Sequence, residues 1–266
     1  MRSQTPVDYK MLSEHLQSAW RKNTGVKPVT VLAPELTVED AYQIQLAQVQ
    51  RFLDEGQVIT GKKIGLTSKA MQVQLGVNEP DYGHLFNNML VRHQGKVKQS
   101  ELLQPKVEAE IAFKLKKTLK GPNISAFDVI QATEYIVPAI EIIDSRIEDW
   151  KLTLRDTIAD NASSGLYVLG DQKISLTGID LRQIGVSLYK NDQIENTGVG
   201  VAVLNHPAKC VAWLANKLAN YHLTLEEGEV ILSGALSGAI EVNPGDKVTA
   251  KFSSIGHVSV EFINDI

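Results

Sequence analysis

Apolar positions recur three and four residues apart near the start of the chain, and at alternate positions through much of the remainder. Over residues 8–22, Leu12, Leu16, Ala19 and Trp20 fall on one stripe, the spacing of an amphipathic helix. A second helix is predicted after Thr37, an N-cap residue with Asp40 three positions on. Its predicted stripe is Tyr42, Leu46, Val49 and Leu53, and Gly56 ends it. Beyond Val58 the period shortens to that of strands separated by turns. Ile111–Leu115, Tyr135–Ile143, Leu166–Leu169, Val186–Tyr189, Glu229–Leu232, Lys247–Phe252 and Val258–Phe262 are the candidates. Asn243-Pro244-Gly245-Asp246 predicts a turn between the last strands. Two more helices interrupt the series. One is capped by Ser125 with Asp128. The other follows Pro207, with Val211, Leu214, Leu218 and Tyr221 as its stripe. The pattern predicts an α+β protein: a helical N-terminal segment, residues 1–57, packed on a β-rich domain, residues 58–266.

Two of the predicted strands carry acids where apolar neighbours dominate. Glu108 and Glu110 lie in Pro105-Lys106-Val107-Glu108-Ala109-Glu110-Ile111-Ala112-Phe113, and Glu141 lies in Pro138-Ala139-Ile140-Glu141-Ile142-Ile143. On a strand Glu108 and Glu110 share a face, with attachment points roughly 7 Å apart. Like charges held that close in an apolar segment repel unless a positive charge sits between them. Oxygen-only ligands suit a hard divalent ion such as Mg²⁺ or Mn²⁺. A solvated strand face is the alternative, and Glu141, flanked by isoleucines, is hard to place in bulk water.

Composition narrows the remaining classes. The 266 residues carry a net charge of −4 with no basic block, which argues against a nucleic-acid partner. The one cysteine, Cys210, lies in an apolar helical stretch and reads as a buried thiol, in keeping with a reducing compartment. Met1–Pro6 opens on a polar segment without an apolar signal core, and no run approaches the ~18 apolar residues of a membrane span. A cytoplasmic protein is expected. Gly198-Val199-Gly200 lacks the third glycine of a dinucleotide fingerprint, and the six histidines are scattered without ligand spacing.

Three further segments hold candidate chemistry. In Gly61-Lys62-Lys63-Ile64-Gly65-Leu66-Thr67-Ser68 one lysine of the pair should face outward and the other inward, and an inward Lys63 would hold a substrate carboxylate. In Glu79-Pro80-Asp81-Tyr82-Gly83-His84, Pro80 and Gly83 predict a turn, where Asp81 either bonds its own backbone or serves catalysis. Asp160-Asn161-Ala162-Ser163-Ser164-Gly165 is dense in small polar groups and would cap a helix or line an anion pocket.

These segments together resemble the 2-oxopent-4-enoate (2-hydroxypenta-2,4-dienoate) hydratases of aromatic meta-cleavage pathways, within the fumarylacetoacetate hydrolase superfamily. The matching stretches are GKKIGLTSKAMQ, EPDYGHLF, LQPKVEAEIAF, PAIEIIDSRIEDWKL, DTIADNASSGLYVLGD, LNHPAKCVAWLANKLA and GEVILSGAL, in order from Gly61 to Leu236. The resemblance implies a mixed β-roll or β-sandwich core under an N-terminal helical layer. It makes Glu108, Glu110 and Glu141 ligands of Mg²⁺ or Mn²⁺, and it assigns Lys63 and Asp81 to catalysis. Lys63, Leu66, Asp81 and Ser163 would surround a small 2-oxo acid substrate. It further implies a homo-oligomer, with association with a related decarboxylase or a pathway aldolase open. Two relatives compete with the five-carbon hydratase: the 4-oxalocrotonate decarboxylases, which tend to have an apolar residue where this chain has Asp81, and the 2-oxohept-4-ene-1,7-dioate hydratases. A carbon–carbon hydrolase would use a His–Glu pair near the metal, and no histidine neighbours the Glu-x-Glu strand in sequence.

Overall fold

The first apolar stripe folds as helix α1 (Tyr9–Lys22), capped by Asp8, with Leu12, Leu16 and Ala19 buried. The computed structural model describes residues 7–74 and 77–265, so Met1–Pro6, the segment expected to lack a signal core, lies outside the described residues. A short turn, α2 (Val29–Leu32), leads to α3 (Val38–Asp54), and Thr37 and Asp40 form the expected capping box. The buried face of α3 differs from the predicted stripe. Tyr42 and Val49 are inside, but Gln45 and Gln48 replace Leu46 and Leu53 as their companions. Gln45 Nε2 donates to the carbonyls of Tyr82 and Ile158, at 2.9 and 2.8 Å, and Gln48 Nε2 to that of Ala159. The helix lies on backbone that needs donors, so amide side chains outrank leucines there.

Beyond α3 the chain continues as β1 (Ile59–Gly65), α4 (Lys69–Gln74), β2 (Asp81–Phe86), β3 (Leu90–Val91), β4 (Gly95–Lys98) and β5 (Pro105–Leu115). Then come α5 (Ala126–Ala132), β6 (Thr133–Asp144), α6 (Leu154–Ala159), β7 (Ser164–Leu169), β8 (Gly185–Lys190) and β9 (Gln193–Val199). The last elements are α7 (Pro207–Ala219), β10 (Val230–Ala235), β11 (Ile240–Glu241), β12 (Lys247–Phe252) and β13 (Gly256–Ile263). One mixed sheet runs β2-β1-β10-β5-β6-β7-β3, with β11 also on β5, and a second runs β4-β13-β12-β8-β9. The pairs β1/β10, β3/β7 and β4/β13 are parallel, and the others antiparallel. Among the described residues no helix is long and apolar enough to cross a membrane.

The long central strands β5 and β6 divide the interior. Val107, Ala109, Ile111 and Phe113 of β5 and Ile136, Ile140 and Ile142 of β6 point one way. They share a core with β12, β13, α7 and the N-terminal helices. On the opposite face Ala112, Val137 and Ala139 pack with Leu85, Phe86, Tyr167 and Leu232. By strand alternation the three glutamates lie on this second face, displaced along it from the apolar cluster.

Candidate metal centre and active site

In the β5–β6 ladder Glu108 stands directly opposite Glu141, and Glu110 opposite Ala139. A directly opposed pair plus the next residue on the same face converge on one point. Carboxylate oxygens of the three glutamates come within 4.8 Å of one another. Glu110 and Glu141 are buried and Glu108 half-buried. Glu110 Oε2 accepts a 2.7 Å hydrogen bond from the Gly234 amide. Glu110 Oε1 and Glu141 Oε2 are buried without a hydrogen-bond partner, and Glu141 Oε1 has only the Lys63 ammonium beside it. Burial, and then the repulsion of Glu141, lifts the Glu108 carboxyl to about 7. Burial also raises Glu110 and Glu141. Closely spaced acids with orphaned oxygens in a largely buried site are costly as bare anions and fit a hard divalent cation.

Lys63 supplies the positive charge of the cluster. Its Nζ lies 3.2 Å from Glu141 Oε1 and donates to the Ala162 carbonyl at 2.9 Å. Burial alone would lower the ammonium's pKa, but the carboxylates of Glu141, Asp81, Glu108 and Glu110 raise it above the ordinary lysine value. The lysine pair departs from expectation. Both side chains are buried, because Lys62 on the other face forms an ion pair with Glu229, at 2.6 and 2.8 Å. Parallel pairing of β1 with β10 brings Glu229 there, a contact 167 residues distant in sequence.

Asp81 is likewise not in a turn; it opens strand β2, paired with Gly65. Pro80 precedes the strand, a position that needs no ladder donor. Gly83 serves close approach, since a Cβ there would lie 2.3 Å from the Asn161 carbonyl oxygen. Asp81 Oδ2 accepts from Thr157 Oγ1 at 3.3 Å, and Oδ1 is buried without a partner. Burial raises the Asp81 pKa, against the opposing charge of Lys63. A Cβ on Gly65 would fall 2.2 Å from Asp81 Oδ1 and 3.3 Å from Lys63 Nζ, so the missing side chain at Gly65 is the space these groups occupy.

The polar run 160–165 does cap a helix, at its C-terminal end: Asp160 is the C-cap of α6, its amide donating to the Asp156 carbonyl at 2.9 Å. Asn161, Ala162 and Ser163 form a 3-10 turn in the left-handed region, with φ of 51°, 50° and 52°. Asn161 pairs with β2 as a strand would: Oδ1 accepts from the His84 amide at 2.8 Å, and Nδ2 donates to the His84 carbonyl at 2.9 Å. Ser163 Oγ is buried and free of partners. The turn thus joins Ser163, through the Ala162 carbonyl, to Lys63. Leu66 is half-buried with φ of 55°, and its carbonyl accepts from Gln72 Nε2 at 2.8 Å. It follows Gly65, the residue whose backbone borders Asp81 and Lys63.

No histidine joins the glutamate group among the described residues. His84 alternates to the other face of β2, where its Nδ1 meets Gln45 Oε1 at 3.1 Å, and burial drives its pKa down to about 3. The residues that sequence reasoning passed over are Gly65, Thr157, the Ala162 carbonyl, the Gly234 amide and Arg146. Of these, Gly65 alone had a local signal, in its glycine-punctuated segment.

The profile of the fumarylacetoacetate hydrolase C-terminal family matches residues 59–263, and the chain belongs to that family. It is 47% identical over 211 residues to a 2-hydroxypent-2,4-dienoate hydratase of Pseudomonas putida, covering 79% of this chain and 95% of that one. It is 42% identical over 251 residues to a 2-hydroxyhexa-2,4-dienoate hydratase of Comamonas testosteroni, covering 94% and 95%. A solved structure of the 4-oxalocrotonate decarboxylase from Pseudomonas putida G7, complexed with magnesium and adipate, superposes with a TM-score of 0.94 at 40% identity, covering 99% and 100%.

Proposed function

We propose that this protein is a divalent-metal-dependent hydratase that adds water to 2-hydroxypenta-2,4-dienoate, giving 4-hydroxy-2-oxopentanoate. The observation that carries the reading is the buried three-glutamate cluster, with orphaned oxygens and Lys63 beside it. Glu108, Glu110 and Glu141 would hold Mg²⁺ or Mn²⁺, which supplies Lewis acidity toward the 2-oxo group.

The chain's own residues then have defined work. The dienol loses its 2-hydroxyl proton and gains one at carbon 5, giving an α,β-unsaturated 2-oxo acid. Water adds its hydroxyl at carbon 4 and a proton arrives at carbon 3. Lys63, kept charged by its carboxylate neighbours and aimed by the Ala162 carbonyl, binds the substrate carboxylate or the enolate oxygen. Asp81, with one unpartnered oxygen and a raised pKa, moves a proton or orients the water. Ser163 Oγ hydrogen-bonds the substrate, and Leu66 borders it. The enzyme would work in the cytoplasm as a homo-oligomer.

A 4-oxalocrotonate decarboxylase is the second reading, favoured by the superposition on that enzyme. Against it stands Asp81, a buried acid beside Lys63. The seven-carbon dioate hydratase needs a cation for its second carboxylate, and Lys62 is already engaged by Glu229. The test is to supply enzymatically generated 2-hydroxypentadienoate and, separately, 4-oxalocrotonate, each with Mg²⁺. Loss of dienoate absorbance without CO₂ supports the hydratase; CO₂ release from oxalocrotonate, with the dienoate untouched, replaces it with the decarboxylase.

A further inference from the structure

We propose that Arg146 is a positioning residue for this site: its buried guanidinium clamps the 160–164 turn in the shape that aims Lys63 and presents Ser163. Its catalytic consequence rests on the hydratase reading; the clamp itself does not.

Arg146 lies two residues past the end of β6 and is 1% exposed. It grips both ends of the turn. Its Nε donates to Asp160 Oδ1 and its Nη2 to the Asp160 carbonyl, while Nη1 donates to the Ser164 carbonyl at 2.6 Å and to the Asp144 carbonyl at 2.7 Å. Asp160 Oδ2 returns the hold, accepting from the Arg146 amide at 3.0 Å and from Ser145 Oγ at 3.2 Å. Between these anchors lie the three left-handed residues, none of them glycine. Three such residues in succession are not self-supporting, because each sets its Cβ against a carbonyl oxygen.

The clamp has the shape of its target. A guanidinium presents several donors in a rigid plane and can serve the carboxylate and three carbonyls together; an ammonium on a flexible stem cannot. The Trp20 ring, with the guanidinium carbon 5.1 Å from its centroid, covers one face of the group. Helix α1 thereby reaches the active-site turn. From the turn the connection runs two ways: the Ala162 carbonyl takes Lys63 Nζ, and Asn161 splints the His84 backbone on the strand that carries Asp81.

Arg146→Lys in the full-length, Mn²⁺-loaded protein tests this. Native-state hydrogen exchange needs no substrate. Protection of the His84 and Ser163 amides should fall about tenfold or more, while the β5–β6 ladder keeps its protection. Mn²⁺ affinity should stay within about twofold, and kcat on the dienoate should fall about 10²-fold with KM little changed, the mark of lost orientation. Unchanged exchange at those two amides, or loosening spread evenly over the sheet, overturns the proposal. If Arg146→Lys does not fold, Asp160→Asn, which keeps the side chain's shape but not its charge, is read by the same two amides against the same ladder. If the wild type leaves the dienoate untouched, the hydratase reading fails, and the exchange data still decide the clamp.

Discussion

Removing divalent ions should leave a fold that the glutamate cluster strains more as pH rises. The perturbation is exhaustive chelation, followed by re-addition of Mg²⁺ or Mn²⁺ at about pH 5.5 and at about pH 8. Glu108 titrates near 7 when the site holds only protein, against an ordinary value of 4.5. Its folded pKa is raised, so the folded state keeps a proton that the unfolded chain releases between those values. Stability from this group is therefore full below the lower value and is lost as pH climbs through the upper one. At about 1.4 kcal/mol per pH unit the loss is about 3 kcal/mol at most, trimmed by the water that half-buried Glu108 still meets. Glu110 and Glu141, also raised, act in the same direction.

A bound cation replaces the protons at these oxygens, and its whole stabilisation is the mass-action term, about 2.7 kcal/mol at a hundredfold excess over the Kd at that pH. Protons compete for the same oxygens, so the metal-induced rise in melting temperature should be small at about pH 5.5 and grow by several degrees at about pH 8. His84 titrates in the opposite sense, but away from the cluster, and it cancels in the difference between loaded and stripped protein. Differential scanning fluorimetry reads the result. A metal-induced shift equal at the two pH values, or larger at the lower one, refutes the reasoning. Glu108→Gln should flatten the dependence.

Four other outcomes rest on particular contacts. Asp81→Asn should lower kcat by about 10²-fold with metal affinity retained, and Gly65→Ala should do much the same by displacing the Asp81 carboxylate; steady-state kinetics beside a Mn²⁺ titration separates the two effects. Lys62→Met strands the Glu229 carboxylate and should cost about 3–5 kcal/mol in urea unfolding, most of it recovered in the double variant Lys62→Met, Glu229→Gln. His84 is held neutral with its pKa near 3, so it contributes stability above its ordinary value of 6.5 that is lost as pH falls from there; His84→Gln should flatten the acid limb of the stability curve.

Periodicity made much of the fold legible, and its failures share a cause. The capping boxes at Thr37 and Ser125 and the proline start of α7 are local signals, and each stands where the residues put it. The glutamates were legible because charge amid isoleucines is anomalous wherever the chain goes. Lys62 was misread because its partner arrives through β10, and the α3 face was misread because Gln45 and Gln48 answer carbonyls of β2 and α6. Asp81 was placed in a turn because Pro80 and Gly83 are turn residues in isolation. The approach of Asn161 and Ser164 explains why Gly83 belongs in a strand. What sequence hid, in each instance, was the identity of a distant hydrogen-bonding or charged neighbour.

Charge balance ties these placements together. Three ionised glutamates and the Lys63 ammonium leave two negative charges, which one doubly charged cation cancels. Asp81 leaves that balance unchanged only in its protonated form, toward which burial pushes it and away from which the Lys63 charge pulls it. A substrate carboxylate would then enter a site of no net charge rather than one that repels it, and Lys63 would stand as its nearest cation. Replacing Lys63 with methionine should upset both halves of this balance. The site would carry an excess negative charge, so the cation should bind at least as tightly as in wild type, while KM for the dienoate rises and turnover collapses. Weakened metal binding in Lys63→Met, measured by titration calorimetry, would show that the lysine orders the glutamates instead of balancing their charge.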